Sequence, residues 1–187
     1  ASQKTGFSGS PGFSSQSGES DPSEESASTK GIKAGAHIAI TGGTVTIDSL
    51  DDAIHSNGTL LLEGGELTLS TGDDGVHADA ALYQTGGQVS VTKSYEGLES
   101  ALIVLSGGSA HIVSTDDGLN VAGGTDDTES AENGETGRPQ DPFGSMDGAS
   151  GDGLYVTGGA CYVNASGDGV DVNGSAYLLG GLVLVDG

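Results

Sequence analysis

The chain has 187 residues, and its 35 glycines are about a fifth of the total, against a usual share of roughly 7%. Aromatic residues are only 4% and tryptophan is absent, so a globular domain with a thick aromatic core is not expected. The 27 acidic residues outnumber 5 lysines and arginines, and the net charge of -22 argues against nucleic acid and anionic membrane surfaces as partners.

Two further classes are disfavoured by the sequence. No apolar run approaches the roughly 20 residues of a membrane-spanning helix, so we expect no membrane insertion. The single cysteine excludes an intramolecular disulfide and a thiolate metal cluster. No secretory leader is present, and we expect that an export signal has already been removed.

Residues 1–30 are the first segment along the chain and are rich in glycine, serine and acidic residues. This composition predicts a tail or linker. The segment contains Phe7 and Phe13, two of the three phenylalanines. A disordered tail would account for them, and so would aromatic anchors that pack on a neighbouring subunit.

A repeat of about 22 residues follows the tail. Its marker is a pair of adjacent glycines, found at Gly42-Gly43, Gly64-Gly65, Gly86-Gly87, Gly107-Gly108, Gly158-Gly159 and Gly180-Gly181. Successive pairs are 22, 22, 21, 51 and 22 residues apart, and 51 is one repeat plus an insertion of 29. We place the insertion at residues 125–152, an acidic segment that leaves the repeat between its first and second strands.

Each repeat contains three short segments of alternating apolar residues, separated by Gly, Asp, Asn or Ser. No segment has helical spacing, and all four prolines lie outside the repeats. The pattern predicts an all-β right-handed parallel β-helix over residues 31–187, with three strands per rung and about six rungs. Cys161 and Gln84 fall on inward positions of this solenoid.

Stacking the rungs places acidic residues of successive repeats above one another. Carboxylates about 4.8 Å apart repel strongly, so such a column calls for cations between the rungs. Carboxylate, amide and carbonyl oxygens are ligands that suit Ca²⁺. We therefore predict calcium at Asp51, Asp52, Asp73, Asp74, Glu96, Glu99, Asp116, Asp117, Asn120, Asp168 and Asp171.

Histidines and lysines near these corners are the other chemically distinctive residues. His55 and His77 stack in an outward column, where hydrogen bonding along the column is the first interpretation, ligand contact the second and transition-metal binding the third. Lys33 and Lys93 are the only bases in the repeats that could serve a lyase, which needs a base near the metal. More often such a lysine lies on a solvated face, so we predict no enzymatic activity and keep Lys93 as a ligand contact.

The corner sequences resemble a known family. Ser94-Tyr95-Glu96-Gly97-Leu98-Glu99 and the Asp-Asp-Gly corners, such as Asp116-Asp117-Gly118, are similar to those of bacterial calcium-containing, carbohydrate-binding β-helix domains. That family binds polygalacturonate and is similar in fold to family 9 pectate lyases. The resemblance implies an extracellular or cell-surface protein, calcium at the acidic corners, and an acidic polysaccharide as the partner.

The last repeat suggests a second class of function. The segment from Gly181 to Gly187 is apolar on both faces, with Leu182 and Leu184 predicted to point outward. Solenoid ends expose unpaired strand edges and need covering. Head-to-tail stacking of identical chains would cover them and give a calcium-stabilised extracellular filament.

Overall fold

The structure is a computed structural model, and it describes residues 29–122 and 153–187. The described residues contain sixteen β-strands and no helix. The strands are β1 Ile32–Ala34, β2 His37–Asp48, β3 Ile54–Ser56, β4 Thr59–Ser70, β5 Val76–Ala78, β6 Ala81–Gln84, β7 Gln88–Lys93, β8 Leu98–Ser100, β9 Leu102–Leu105, β10 Ser109–Ser114, β11 Leu119–Val121, β12 Gly153–Val156, β13 Ala160–Ala165, β14 Val170–Val172, β15 Ser175–Leu178 and β16 Leu182–Asp186.

Every strand pairs in parallel with its counterpart one repeat away, as in a solenoid. The first strands of the six rungs form one sheet in the order β1-β3-β5-β8-β11-β14. The second and third strands share another sheet, in which β2 and β4 are 12-residue strands that cover both positions. The prediction of a parallel β-solenoid with three strands per rung and about six rungs is confirmed.

The glycine pairs mark the corner between the second and third strands. The second glycine of every pair has a positive φ, between 73° and 93°, a region that side chains with a Cβ rarely enter. A Cβ on Gly108 would also lie 2.4 Å from the carbonyl oxygen of Gly87 in the preceding rung. Because conformation and close stacking both require glycine, this corner repeats with little variation.

The core is a narrow column of aliphatic side chains between the two sheets. Ile54, Val76, Leu98 and Leu119 stack one above the other with no exposed surface. Cys161 and Gln84 are buried as predicted, and burial raises the pKa of the Cys161 thiol to about 12. The Gln84 side-chain amide donates to the carbonyl of Ser109 at 3.0 Å.

Leu182 and Leu184 of β16 are 42% and 50% exposed, but Val185 of the same strand is 52% exposed, so exposure does not test their predicted outward direction. Phe7, Phe13 and the insertion at 125–152 lie outside the described residues, so the predictions made for them stay predictions. Within the part of the chain that the structure describes, no helix is long and apolar enough to cross a membrane.

Candidate metal-binding corners

The acidic residues occupy the corner between the third strand of one rung and the first strand of the next. Backbone hydrogen bonds join consecutive corners, from the amide of Ala53 to the carbonyl of Asp74 at 2.9 Å and from Gly97 to Asp117 at 3.0 Å. We call this stack the acidic ladder. Its members are Asp51, Asp52, Asp73, Asp74, Glu96, Asp116, Asp117 and Asp168.

The first corner of the ladder contains a cation supplied by the chain. Lys30 Nζ donates to Asp51 at 2.8 Å and to Asp52 at 2.6 Å. Burial by itself would raise the pKa of the Asp52 carboxyl. The hydrogen bonds with His55 and Lys30 outweigh burial and lower that pKa to about 2. The same two carboxylates raise the pKa of Lys30 despite its burial.

Lys30 was not among the predicted site residues, because its sequence context is that of the Gly/Ser-rich tail. The signal was the repeat itself, since Lys30 precedes Asp52 by the same 22 residues that separate Asp52 from Asp74. Lys30 therefore stands in the acidic column one rung earlier. An ammonium group between two corner carboxylates is independent support for the idea that this column needs cations.

Histidines contact carboxylates of the first two corners. His55 and His77 are paired in register on β3 and β5, and their ring centroids are 4.7 Å apart. Each ring places Nδ1 near the carboxylate three residues earlier, at 2.7 Å from Asp52 and 3.0 Å from Asp74. Their side chains point away from the aliphatic core, as predicted, but are only 4% and 1% exposed.

The second interpretation of these histidines, ligand contact, stays a prediction, and their burial leaves little surface for such a contact. Both rings are covered and engaged with carboxylates, which agrees with the first interpretation, hydrogen bonding along the column. Burial lowers the pKa of His77, but Asp74 and Glu99 outweigh it and raise that pKa well above its usual range. Lys93 is exposed at the end of β7 and remains available to a ligand.

The later corners differ from the earlier ones. Among the described residues, no lysine, arginine or histidine makes an ion pair with Glu96, Asp116, Asp117, Asp168 or Asp171. Burial and the nearby Glu99, Asp117 and Asp116 raise the pKa of Glu96 to about 7, although Asn120 donates a hydrogen bond to it. Burial and the acidic neighbours also raise the pKa of Asp117.

Two carboxylates of these later corners approach the same glycine. A Cβ built on Gly167 would lie 2.6 Å from Oδ1 of Asp116 and 2.6 Å from Oδ1 of Asp117, so glycine leaves the space that both carboxylates enter. Asn120 donates to Glu96 at 2.7 Å, while its own Oδ1 is buried without a hydrogen-bond partner. Carboxylate and amide oxygens are the donor types that a hard cation such as Ca²⁺ takes, so these corners offer suitable ligands.

We call the set Glu96, Asp116, Asp117, Asn120, Asp168 and Asp171 the cation-free corners. Asn120 on β11 pairs in register with Glu99 on β8 and with Asp171 on β14. The three residues therefore occupy the same position in three consecutive first strands. These residues were all predicted as calcium ligands. The contrast with Lys30, His55 and His77 at the earlier corners was not predicted.

Replacing Gly167 by Ala should weaken calcium binding by about tenfold or more, because the new methyl group would displace the carboxylates of Asp116 and Asp117. Gly35→Ala is the matched control, since a Cβ there meets nothing within 4 Å. Calorimetric titration of both variants with calcium measures the effect. Equal calcium affinities in the two variants would show that calcium does not bind in the space beside Gly167.

Comparison with known protein families gives a match to part of the chain. The family described as carbohydrate-binding domain-containing protein matches residues 8–75, a segment that includes the first two rungs of the solenoid. No curated protein and no solved structure matches the chain. The family match and the β-solenoid fold together fit a carbohydrate-binding β-helix.

Proposed function

We propose that this chain is a non-catalytic extracellular β-helix that binds calcium and, through calcium, an acidic polysaccharide. The observation that carries the proposal is the set of cation-free corners, where Asp116 and Asp117 each place a carboxylate oxygen beside Gly167 and Asn120 Oδ1 is buried without a hydrogen-bond partner. The match to a carbohydrate-binding domain-containing family supports the glycan part.

Charge explains why calcium and the glycan belong together. A chain with a net charge of -22 repels a polyuronate, so a bare acidic surface cannot bind one strongly. A calcium ion held by corner carboxylates retains coordination positions for further oxygens, because it takes 6–8 ligands. Uronate carboxylates can occupy those positions, and Lys93 adds an exposed positive charge at the end of β7.

The test is retention of the protein in gels that contain polygalacturonate, with dextran gels as the neutral comparison. We expect retardation by polygalacturonate in millimolar calcium, loss of retardation in EGTA, and no retardation by dextran. Asp117→Asn should weaken retention, whereas Asp48→Asn, an exposed acidic residue at the end of β2, should not. Retention that persists in EGTA, or no retention in calcium, would contradict the proposal.

The same samples test the lyase alternative. An elimination reaction on polygalacturonate produces an unsaturated uronate that absorbs in the ultraviolet. A non-catalytic binder leaves this absorbance unchanged over prolonged incubation with calcium. Steady growth of the absorbance that disappears in Lys93→Met would overturn the non-catalytic assignment.

A second proposal is self-assembly by stacking of solenoid ends. The observation that favours it is the set of exposed apolar side chains in the last rung, including Leu178, Leu179 and Leu184 at 65%, 64% and 50%. Electron microscopy in calcium and after chelation tests it. Uniform filaments that depend on calcium would support assembly, and monodisperse particles in both conditions would contradict it.

A further inference from the structure

His77 makes more short contacts than its ring protons can satisfy. Its Nδ1 lies 3.0 Å from Asp74 Oδ2 and 2.8 Å from Glu99 Oε2. Nδ1 carries at most one proton, and a proton directed at one carboxylate leaves the other contact without one. One ligand atom of each of Asp74, His77 and Glu99 lies within 4.8 Å of the other two, so three potential metal ligands converge here.

The opposite side of the same ring gives a second, independent observation. His77 Nε2 is fully buried and has no hydrogen bond, in a side chain that is 1% exposed. It lies 3.2 Å from Asp79 Oδ1, within contact distance but without hydrogen-bond geometry. Asn57 donates to the other oxygen of Asp79 at 3.2 Å, which orients this carboxylate toward the histidine.

We propose that Asp74, His77 and Glu99 form a binding site for a divalent cation of the zinc class, separate from the cation-free corners. Nδ1 of His77 and one oxygen of each carboxylate are the ligands. When Nδ1 binds the metal, the single ring proton resides on Nε2 and faces Asp79. A carboxylate behind a metal-bound histidine is a recurrent arrangement that fixes the ring and strengthens the ligand.

Distances and donor chemistry distinguish this site from the cation-free corners. Ligand atoms about 2.0–2.1 Å from a tetrahedral metal are roughly 3.3 Å apart. His77 Nδ1 lies 2.8 Å from Glu99 Oε2 and 3.0 Å from Asp74 Oδ2, so both distances need to lengthen only slightly to admit the metal. An imidazole nitrogen favours zinc, cobalt or nickel over calcium, which prefers oxygen ligands. Among the described residues, the cation-free corners contain only oxygen donors.

Cobalt(II) is the probe, because it replaces zinc and its visible absorption reports tetrahedral coordination with nitrogen and oxygen ligands. The whole chain, prepared with EGTA and then dialysed, is titrated with cobalt chloride and afterwards with zinc. We expect one cobalt per chain with a strong visible band, release of protons on binding, and displacement of the band by zinc but not by calcium.

Two variants locate the site and two serve as controls. His77→Gln and Glu99→Gln should each weaken cobalt binding by about 100-fold. His111→Gln removes an exposed histidine of β10 and Asp117→Asn alters the cation-free corners, and both should keep the band. Circular dichroism checks each fold, and Glu99→Gln decides the question if His77→Gln does not fold.

The proposal is overturned if wild type shows no tetrahedral band, or if Glu99→Gln keeps the band at wild-type affinity. In either case the cluster is a network in which a charged imidazole neutralises Asp74 and Glu99 without a metal. Because Asp117→Asn separates the two sites, failure here leaves the calcium and glycan proposal intact, and failure of that proposal leaves this one testable.

Discussion

Lys30→Met should lower the free energy of unfolding by about 3 kcal/mol, one of the two largest effects we expect. Removing one partner of a buried ion pair leaves an uncompensated charge, at a cost of about 3–5 kcal/mol. Asp52 has no exposed surface and Lys30 is the cation nearest to it, while the remaining His55 contact places the loss at the lower end. Urea unfolding at pH 7 measures it.

Lys33→Met is the matched control, because Lys33 is exposed on β1 and its loss should change stability by less than about 0.5 kcal/mol. Lys30→Met combined with Asp52→Asn should recover part of the loss, since the neutral amide no longer needs a cation. Equal stabilities for Lys30→Met and Lys33→Met would show that the first corner does not depend on its ammonium group.

The dependence of stability on pH in acid is a second test of the contact between Lys30 and Asp52. The folded-state pKa of Asp52 is about 2, below its ordinary 3.8. Its contribution to stability is therefore present above pH 3.8 and is lost as the pH falls through about 2. In Lys30→Met this pKa should rise, so acid unfolding should begin at a higher pH than in wild type.

Calcium should stabilise the protein by about 2.7 kcal/mol when its concentration is a hundred times its dissociation constant. The effect should depend on pH in a defined direction. In chelator the pKa of Glu96 is raised from 4.5 to about 7, so its contribution to stability is present below pH 4.5 and is lost as the pH rises through about 7. Because Glu96 is only partly buried, screening by solvent reduces this loss to about 1 kcal/mol.

Thermal unfolding at pH 5 and pH 8, each with EGTA and with millimolar calcium, measures both the stabilisation by calcium and its dependence on pH. Calcium favours ionised carboxylates, so it should stabilise the protein more at pH 8 than at pH 5. Asp117→Asn should reduce the calcium effect, and Asp48→Asn should leave it unchanged. A calcium effect that is larger at pH 5 would contradict the assignment of these carboxylates as ligands.

The repeat made most of the fold predictable. Glycine pairs at a nearly constant spacing require one corner conformation, and that spacing aligns every column, including the one that runs from Lys33 through His55 and His77 to Asp171. The candidate ligands followed from the same alignment. Their burial did not, because the sequence gives the direction of a side chain from the core but not what covers it.

The sequence did not predict that the cationic side chains lie only at the earlier corners, although the residues themselves were visible in it. Lys30 is one repeat before Asp52, but the glycine and serine around it indicated a tail. Whether His77 contacts one carboxylate or two depends on the rotamers of Asp74 and Glu99 in neighbouring rungs. Such contacts are decided by side-chain packing between rungs, which periodicity alone does not specify.

The corner between β11 and β12 shows what holds a rung in place. Neighbouring rungs cross this corner with only Ala101, or with Asn173 and Gly174, whereas this rung uses residues 122–152. Yet Val121 still pairs with Val172, and Gly153 with both Leu102 and Ser175. Rung position is thus set by the layers above and below rather than by covalent continuity. A peptide inserted at this corner would lower the free energy of unfolding mainly through the entropy of loop closure, by about 0.6 kcal/mol for each doubling of loop length. The corner is therefore a suitable site for inserting a foreign peptide.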